Sequence, residues 1–409
     1  MPPELTSPPR TIFIVTGDVS GDQSAGRLAA AIRAVAPDVR LVGVGGPEMS
    51  AAGVSVVERS SQLSFVGLLA GLRKVRVIHE SYRRVQRLVA AEPPDVVVLI
   101  DGEFVTMPFA RWLRARGIPA VFFFPPQFWV LGRYRMRRLV PLAQKVLSAF
   151  SEEAKLYRAL GADAHWVGHP LRDLVRVPAT ADSELRELGL DPARPVVAIL
   201  PGSRAGEVRR LARRFLAAAR LLELRDPTLQ FAIPLADEGL RGDIEKAVRE
   251  SHVSKAVVYV PRSYAVLGRA RIAIQKSGTG TLETALLGVP AVVAYRLNLL
   301  EYLVGWYVLM EGDFIGMVNI LLGEMIQPEL VQGDVTAERV AAEAWSLLTD
   351  ERRRAHIRSR LADLKPALGP GGAIEYAARQ VLAMLPGGEA EDHPGGAAGL
   401  RQSDASHGC

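Results

Sequence analysis

The feature that most constrains this chain is a regular alternation of short apolar segments with amphipathic segments of helical period. An uninterrupted apolar run is typical of a strand buried on both faces of a parallel sheet. In the first half of the chain, such strands are predicted at residues 11–16, 41–44, 54–58, 95–101, 119–124, 145–148 and 165–167. Because helical segments alternate with these strands through short connections, the pattern favours a doubly wound parallel sheet.

A second alternating series follows a polar, proline-containing stretch that ends near Pro195. Its strands are predicted at residues 196–200, 230–234, 257–260, 271–274 and 291–294. Two such series indicate an α/β protein of two Rossmann-like domains, whose carboxyl strand edges face one cleft and bind ligands there. The predicted division is a disordered segment 1–10, an N-terminal domain 11–172, a C-terminal domain 173–365, a helix within 366–385 that packs back, and a disordered tail 386–409.

The composition fits a cytoplasmic enzyme. The 409 residues are 49% hydrophobic, enough for two domains with real cores. The net charge of +6 suits an anionic partner such as a phosphate, a nucleic acid or a membrane surface, although a generally basic proteome would give the same value. Cys409 is the single cysteine, so neither a disulfide framework nor a cysteine metal site is expected. Neither a signal peptide nor a transmembrane helix is predicted.

The first candidate site is the segment 274–283, Ile-Gln-Lys-Ser-Gly-Thr-Gly-Thr-Leu-Glu, where a predicted strand breaks at a Ser-Gly pair and continues as a helix. Such a turn directs backbone N–H groups and the positive end of the helix dipole at one point, which favours a diphosphate carrying a sugar. The residues predicted to bind it are Ser277, Gly278, Thr279, Thr281 and Glu283, the last through a sugar hydroxyl. Taken alone, an ordinary N-capped helix would give the same pattern.

A second turn of this kind, Leu-Pro-Gly-Ser-Arg at residues 200–204, follows the first strand of the second series. Gly202 allows a ligand close to the backbone, Ser203 is expected to cap the next helix, and Arg204 can pair with a phosphate through two N–H groups. Together the two turns predict a two-sided clamp for a diphosphate. Glu207 and its charged neighbours on the next helix are expected to face solvent.

The loop after the first strand offers Ser20, Gly21 and Asp22 as candidates for the acceptor side of a cleft. It lacks the G-x-G-x-x-G fingerprint, which makes a classical NAD site improbable. Its acidic residues would repel phosphate, so the loop suits hydroxyl groups better.

Three further candidates lie at or after predicted strands of the first half. Asp101 ends a strand at its carboxyl end, where catalytic carboxylates are often found, and Glu103 is expected in the adjacent loop. Capping of the next helix is an equally good explanation of Asp101. His169, at the domain junction, is either a structural loop residue or a contact to a sugar.

These segments together resemble the lipid-A-disaccharide synthase family, two-domain glycosyltransferases of the GT-B type. The resemblance extends from residue 11 to about residue 385. The matching segments are 17–22 (Gly-Asp-Val-Ser-Gly-Asp), 44–47, 94–95, 168–171 (Gly-His-Pro-Leu), 200–204, 277–283, Asn319 and 328–332 (Pro-Glu-Leu-Val-Gln). Their order and spacing carry the assignment.

Membership implies an inverting transfer of 2,3-diacylglucosamine from its UDP conjugate to 2,3-diacylglucosamine 1-phosphate, giving a β-1′,6-linked disaccharide. No metal or other cofactor is implied. The C-terminal domain would bind the UDP-sugar and the N-terminal domain the acceptor. Glu283 resembles the residue that holds the ribose, and Asn319, Glu329 and Gln332 match family positions that line the donor side.

The departures from the family pattern lie in the N-terminal domain. Where the family has Asp-x-Pro-Asp-Phe-Asn, this chain has Asp-Gly-Glu-Phe-Val-Thr at residues 101–106, so that Phe104 replaces a prime candidate for the catalytic base. Asp101 or Glu103 would then have to take the proton from the acceptor hydroxyl. Because the UDP-side motifs are nearly intact, we expect a protein that binds a UDP-sugar but whose acceptor or base has changed.

Acylated substrates imply a cytoplasmic enzyme that works at the surface of the inner membrane as a peripheral protein. The apolar segment 63–72, flanked by basic residues 73–76, suits such contact, and four arginines within 133–138 add positive charge. A core segment beside a solvated helix is the other interpretation. Helix packing or a dimer interface explains the apolar stretch 297–322 better than a membrane span does. No RNA-binding module is recognisable, so no nucleic acid partner is expected.

Three functions therefore remain open from the sequence. The first is a lipid-A-disaccharide synthase, the second a UDP-sugar glycosyltransferase of that family with another acceptor, and the third a non-catalytic relative. A UDP-N-acetylglucosamine 2-epimerase would share the two-domain fold, but it should not retain this order of motifs.

Overall fold

The computed structural model describes residues 10–17, 19–60, 68–130, 132–297 and 313–388. The chain divides into two compact units. The first comprises the chain up to Pro170 and resumes at Leu368, whereas the second is the continuous segment Leu171–Ala367. The sequence places the domain boundary two residues later, after residue 172.

The first unit is built on a parallel sheet of seven strands in the order β3-β2-β1-β4-β5-β6-β7. The strands are β1 (Thr11–Thr16), β2 (Arg40–Gly45), β3 (Ser55–Arg59), β4 (Val96–Ile100), β5 (Ala120–Phe123), β6 (Lys145–Ser148) and β7 (Ala164–Trp166). The chain changes direction across the sheet between β1 and β4. Loops that leave the carboxyl ends of strands at such a switch point diverge and leave room for a ligand.

Helices cover both faces of this sheet. They are α1 (Val19–Val35), α2 (Pro47–Ala51), α3 (Leu68–Ala91), α4 (Glu103–Arg114), α5 (Met136–Leu139) and α6 (Ser151–Ala159), with 3-10 turns at Arg133–Arg135 and Val140–Leu142. Ile12 and Ile14 of β1 pack with Leu28 of α1 in the core on one face. On the other face, Phe13 meets the ring of Phe109 from α4 at 6.5 Å between centroids. Because side chains alternate along β1, this strand contributes residues to the cores on both faces of the sheet.

The second unit has a parallel sheet of six strands in the order β10-β9-β8-β11-β12-β13. The strands are β8 (Val196–Leu200), β9 (Gln230–Pro234), β10 (Ala256–Tyr259), β11 (Ala270–Lys276), β12 (Ala291–Tyr295) and β13 (Glu329–Val331). The short edge strand β13 was not among the predicted strands. Here the switch point lies between β8 and β11, the two strands that precede the predicted diphosphate turns.

The helices of the second unit are mostly amphipathic. They are α7 (Leu171–Leu174), α8 (Ala181–Glu187), α9 (Ala205–Arg225), α10 (Arg241–Ser251), α11 (Ala265–Arg269), α12 (Thr279–Leu286), α13 (Met317–Leu322), α14 (Ala337–Thr349), α15 (Glu351–Ala362) and α16 (Leu364–Ala367), with 3-10 turns at Glu238–Leu240 and Gln332–Asp334. The longest of them, α9, buries Val208, Leu211 and Phe215 at helical spacing. Its first turn lies directly after the turn at residues 200–204.

The last described helix, α17 (Ala373–Leu382), returns the chain to the first unit. Its residues Tyr376, Ala377 and Val381 belong to the same core cluster as the inner face of α1. The ammonium of Lys145 donates a buried hydrogen bond of 2.7 Å to Gln380 Oε1, which fixes α17 against β6. The first unit is therefore completed by a segment that follows the second in sequence.

Several sequence predictions fall outside the described residues. They concern the proposed membrane-contact segment at residues 63–67, most of the apolar stretch 297–322, and the terminal segments 1–9 and 389–409. In the part of α3 nearest to that segment, the side chains of residues 68–75 are also outside the description. Among the described helices, none is both long and apolar enough to traverse a bilayer.

Candidate functional site

The two predicted diphosphate turns lie side by side in the second unit. Strands β8 and β11 are hydrogen-bonded neighbours, with Leu200 in register with Gln275, so both turns leave the same edge of the sheet. The carboxylate of Glu207 on α9 connects them. Its Oε1 lies 3.0 Å from Lys276 Nζ and 3.7 Å from Arg204 Nη1, and its Oε2 accepts a 3.2 Å hydrogen bond from the Ser203 N–H.

Two glycines keep the space at these turns open. Gly202 has φ +130°, a conformation that side chains disfavour, and a Cβ there would lie 2.7 Å from Glu207 Cβ. Gly278 precedes α12 and is exposed, as is Thr279. The first N–H groups of α12 and α9 have no partner four residues earlier within their own helices, so both helix ends can bind an anion.

The hydroxyl groups of the Ser277 turn differ in where they point. Thr281 is fully buried and donates a 2.6 Å hydrogen bond to the carbonyl of Gly278, which corrects the expectation that it faces a ligand. Ser277 Oγ donates to the carbonyl of Ile315 at 3.2 Å and so ties the turn to the segment before α13. Thr279 remains as the exposed hydroxyl of the three.

Glu283 lies one turn into α12, and its carboxylate is oriented by a tyrosine. The hydroxyl of Tyr264 donates a 2.9 Å hydrogen bond to Glu283 Oε1. The second oxygen, Oε2, lies 3.9 Å from the position that a Cβ on Gly280 would take, at the amino end of the helix. A carboxylate in this position can accept hydrogen bonds from hydroxyl groups of a ligand bound at the turn.

Two expectations about the Arg204 turn were wrong. The residue at the N-cap of α9 is Arg204, no side chain caps this helix, and Ser203 contributes its backbone N–H instead. Glu207 does not face solvent, since its side chain is only 13% exposed. Although burial opposes its charged form, the neighbouring Lys276 ammonium holds the pKa of Glu207 below its ordinary value, so the carboxylate is ionised at neutral pH.

The three predicted donor-side residues hold backbone segments in place. Asn319 is fully buried; its Nδ2 donates to Glu329 Oε1 at 2.7 Å and its Oδ1 accepts from the N–H groups of Ile326 and Gln327 at 2.9 Å. Glu329 also accepts from the N–H groups of residues 315 and 316 at 2.7 and 2.8 Å. Gln332 Oε1 accepts from the N–H of residue 297 at 2.9 Å.

These contacts place Asn319 and Glu329 beside the Ser277 turn. The carbonyl that Ser277 binds belongs to Ile315, whose own N–H is held by Glu329. A Cβ on Gly316 would lie 2.8 Å from Glu329 Oε1, so a larger residue there would displace this carboxylate. The side chains therefore stabilise the segment that packs on the turn.

In the first unit, Asp101 adopts a strained backbone conformation. Its φ is +47°, and its N–H donates to the carbonyl of Phe124, whose φ is +52°. Non-glycine residues in this region are unfavourable and concentrate at functional sites. Asp101 does not cap α4: the N-cap is Gly102, which makes no side-chain cap hydrogen bond. A Cβ on Gly17 would lie 2.6 Å from Gly102 Cα, so the loops after β1 and β4 touch through glycines.

Glu103 was expected in a loop, but it begins α4 and already has a strong partner. Arg135 Nη1 lies 2.6 Å from Glu103 Oε2, and the Arg135 guanidinium also lies over the ring of Phe128, 4.6 Å from its centroid. This ion pair engages Oε2 of the Glu103 carboxylate. Phe104 is 74% exposed.

Two titratable groups, the buried Glu153 and the partly exposed His169, lie near Asp101. Burial raises the pKa of Glu153 well above its usual value, and the negative charge of Asp101 acts in the same direction. His169 packs between the rings of Phe124 and Phe150, with centroids 6.2 and 5.5 Å away, and burial lowers its pKa to about 4. His169 is therefore uncharged at neutral pH, and burial favours the protonated, neutral form of Glu153.

Glu153 was missed by the sequence analysis. The only signal was a glutamate in the first turn of a helix after a buried strand. A glutamate there usually stabilises the helix through a favourable interaction with its dipole.

The loop after β1 is only partly available to a ligand. Asp22 is 3% exposed, and its carboxylate accepts from the N–H groups of Gly46, Glu48 and Met49 at 2.7, 3.0 and 3.2 Å. It thus holds the start of α2, which corrects its assignment as an acceptor contact. Ser20 is exposed and Gly21 is buried, both in the first turn of α1. Within the described ranges, no three His, Cys, Asp or Glu side chains form a group that could hold a metal ion.

The sequence is similar to that of one enzyme family over most of its length. The profile of the family described as lipid-A-disaccharide synthetase matches residues 12–371. A lipid-A-disaccharide synthase from Geobacter metallireducens is 37% identical over 380 residues, which cover 93% of this chain and 98% of that protein. Another from Geobacter sulfurreducens is 38% identical over 375 residues, which cover 91% and 97% of the two chains.

Solved structures of nucleotide-sugar proteins share the architecture. The structure of S. aureus MnaA with UDP has a TM-score of 0.62 at 12% identity and covers 91% of this chain and 96% of that one. UDP-GlcNAc 2-epimerase from Neisseria meningitidis bound to UDP-GlcNAc has a TM-score of 0.61 at 13% identity, with 91% and 99% covered. At these identities the likeness shows the two-domain fold alone.

Proposed function

Because this chain belongs to the lipid-A-disaccharide synthase family of glycosyltransferases, we propose that it transfers 2,3-diacylglucosamine from its UDP conjugate to 2,3-diacylglucosamine 1-phosphate. The observation that carries the proposal is the convergence of the Arg204 and Ser277 turns on one carboxylate, Glu207. Donors that converge on one anionic group are suited to a diphosphate.

The second unit would stabilise the leaving group. As the glycosidic bond to UDP breaks, negative charge grows on the diphosphate, where the guanidinium of Arg204 and the amino ends of α9 and α12 offset it. The exposed Thr279 and the backbone at Gly202 and Gly278 are the parts of the turns suited to direct contact. We assign Glu283 to the ribose hydroxyls, since Tyr264 already holds its carboxylate in one orientation.

Asn319, Glu329 and Gln332 would support this site through the backbone. Asn319 and Glu329 hold the segment that Ser277 contacts, and Gln332 holds the N–H of residue 297. We propose that they position the donor side without touching the nucleotide.

Asp101 is the residue we assign as the base. Inversion requires a carboxylate that takes the proton from the acceptor hydroxyl as this hydroxyl attacks C1 of the donor sugar. Asp101 lies at the carboxyl end of β4, at the switch point of the first sheet, on strained backbone. Glu103 is less suited, because its carboxylate is paired with Arg135. Ser20 in the first turn of α1 and the neutral His169 are proposed acceptor contacts.

One observation favours a second candidate function, a glycosyltransferase of the same family that uses another acceptor. Phe104 places an exposed aromatic ring at a position where the family has a carboxylate, three residues after Asp101. We place either activity at the cytoplasmic surface of the inner membrane, because acylated substrates reside there.

The experiment that tests the proposal measures disaccharide formation and UDP release from the two acylated substrates. We expect equal amounts of both products in the wild-type protein, a loss of about 10²–10⁴-fold in kcat for Asp101→Asn, and a smaller loss for Glu103→Gln. Glu152→Gln, an exposed carboxylate on α6, is the matched control.

Other outcomes separate the alternatives. Binding of UDP without disaccharide would favour a different acceptor, and absence of UDP binding would contradict both activities. Equal loss in the two variants Asp101→Asn and Glu103→Gln would remove the assignment of Asp101 as the single base.

A further inference from the structure

Lys276 occupies an unusual place between the two turns. It is the last residue of β11, directly before Ser277, and its side chain is 20% exposed. Its Nζ lies 3.2 Å from the position that a Cβ on Gly278 would take, so the ammonium bends over the turn toward the edge of the sheet. From there it reaches Glu207 on the neighbouring helix at 3.0 Å.

Glu207 binds the same groups that a phosphate would bind. One carboxylate oxygen faces the Lys276 ammonium and the Arg204 guanidinium, and the other accepts the N–H of Ser203. A guanidinium, an ammonium and a backbone N–H at the start of a helix are the donors that proteins use for phosphate oxygens. Glu207 lies in the first turn of α9 and draws these donors from both turns.

We propose that Lys276 is a second cationic ligand of the diphosphate, and that the Glu207 carboxylate takes the place of a phosphate oxygen when the site is empty. This inference rests on the proposed function, since it names a ligand of the same nucleotide site. Binding of the diphosphate replaces the Glu207 contacts of Lys276, Arg204 and the Ser203 N–H with phosphate contacts. The Glu207 carboxylate then lies beside the diphosphate, and repulsion between the two negative charges weakens nucleotide binding.

The two residues should therefore affect binding in opposite directions. Lys276→Gln removes a cation from the diphosphate and should weaken UDP binding about 10-fold or more, the usual size of a charged hydrogen bond. Glu207→Gln keeps an acceptor for the Ser203 N–H but removes the repulsive charge. It should strengthen UDP binding about two- to fivefold, as expected for a partly exposed charge. Two residues that only stabilised the turn as an ion pair would both weaken binding when replaced.

The experiment is calorimetric titration of the full-length protein with UDP and, separately, with uridine. Wild type, Lys276→Gln, Lys276→Arg and Glu207→Gln are compared, and thermal unfolding checks that each variant is folded. Arg209→Gln is the matched control, because Arg209 lies on the same helix but pairs with Asp243. Uridine has no phosphate, so its affinity should be the same in all variants, and Lys276→Arg should retain most of the UDP affinity.

The outcomes separate the inference from the function on which it rests. If wild type binds UDP and Lys276→Gln binds it equally well, or if this variant loses uridine affinity to the same degree, the inference is overturned while the proposed function stands. A weaker UDP affinity in Glu207→Gln would also overturn it. If wild type binds no UDP, both are contradicted. Should Lys276→Gln not fold, the comparison of Lys276→Arg and Glu207→Gln with wild type decides.

Discussion

At the scale of single residues, Glu283 and His169 show how a side chain is prepared for a role by its neighbours. Tyr264 orients the Glu283 carboxylate at the amino end of α12, and two aromatic rings enclose the His169 imidazole. A hydrogen bond between a carboxylate and a sugar hydroxyl contributes more than one between neutral groups. Enclosure of an imidazole removes its charge at neutral pH.

The role of Glu283 can be read from ribose selectivity. We expect wild type to prefer UDP over 2′-deoxy-UDP by about 10-fold or more, since a charged acceptor loses a hydroxyl partner. Glu283→Gln should lose most of this preference, and Tyr264→Phe should reduce it by less, because the carboxylate remains. Calorimetric affinities for both nucleotides provide the measurement. An unchanged ratio in Glu283→Gln would show that the carboxylate does not contact the 2′-hydroxyl.

His169 should make stability depend on pH. Its pKa of about 4 in the folded protein lies below the ordinary value of 6.5, so between these pH values the unfolded chain binds more protons. The free energy of unfolding should therefore fall as the pH decreases from 6.5 toward 4. At pH 5 the loss caused by His169 should be roughly 1–2 kcal/mol. Buried Glu153, whose pKa is raised, has the opposite effect: its contribution to the free energy of unfolding is lost as the pH rises above 4.5.

Urea unfolding of wild type and His169→Gln at pH 5 and pH 7 isolates the histidine. The stability advantage of the neutral glutamine over histidine should be larger at pH 5 than at pH 7. An equal difference at both pH values would contradict burial of a neutral imidazole.

At the scale of elements, the turn before α12 is held by a segment distant in sequence. Ser277 contacts residue 315, which precedes α13. Glu329 of β13 holds that residue, and Asn319 of α13 in turn holds Glu329. These hydrogen bonds are partly buried and two of them involve backbone groups, so losing one leaves a polar partner unsatisfied. The donor side thus depends on polar residues at the end of the sheet and on the helix beside it.

The pair Asn319 and Glu329 provides a test of this arrangement. Asn319→Asp places a second carboxylate where Nδ2 lies 2.7 Å from Glu329 Oε1, so its stability loss should grow as the pH rises and both groups ionise. Asn319→Ala leaves the N–H groups of residues 326 and 327 without this acceptor and should cost about 1–3 kcal/mol. Because the alanine adds no charge, its loss should not change with pH. Urea unfolding at pH 5 and pH 8 measures both, and parallel behaviour of the two variants would contradict the arrangement.

The sequence was sufficient for most elements but only for part of the site. Apolar runs such as Val96–Ile100 are buried on both faces, and their pattern predicts parallel strands directly. The three-residue β13 is too short to leave a periodic signal, and its pairing with β12 is a tertiary contact. Thr281 illustrates the same limit: its position in the motif is visible, whereas the inward turn of its hydroxyl depends on the Gly278 carbonyl. The Glu207–Lys276 contact joins residues far apart in sequence, so no local sequence pattern predicts it.

At the scale of the whole molecule, the first unit is discontinuous along the chain. The first unit is not finished until α17 returns to it, after the entire second unit. Tyr376, Ala377 and Val381 then complete the core beside α1. The second unit, by contrast, is one continuous segment, so a defect at the carboxyl end of the chain should affect the first unit more.

Truncation tests this dependence. A chain that ends at Ala367 lacks α17 and the carbonyl of Leu368 that accepts the His169 N–H. We expect its first unit to unfold at a clearly lower temperature, while UDP binding by the second unit persists. A chain that ends at Gly388 is the matched control, and its melting should equal that of wild type. Differential scanning calorimetry distinguishes the two, and identical melting of all three chains would contradict the role of α17.

The central claim is that the Arg204 and Ser277 turns of the second unit together bind the diphosphate of a UDP-sugar. A crystal structure of the protein with UDP tests it most directly. The account predicts the diphosphate between the two turns, in contact with Arg204, with the N–H groups at the starts of α9 and α12, and with Lys276 moved from Glu207 toward a phosphate oxygen. A diphosphate bound elsewhere, with the contacts of Glu207 to Lys276 and Ser203 unchanged, would contradict it.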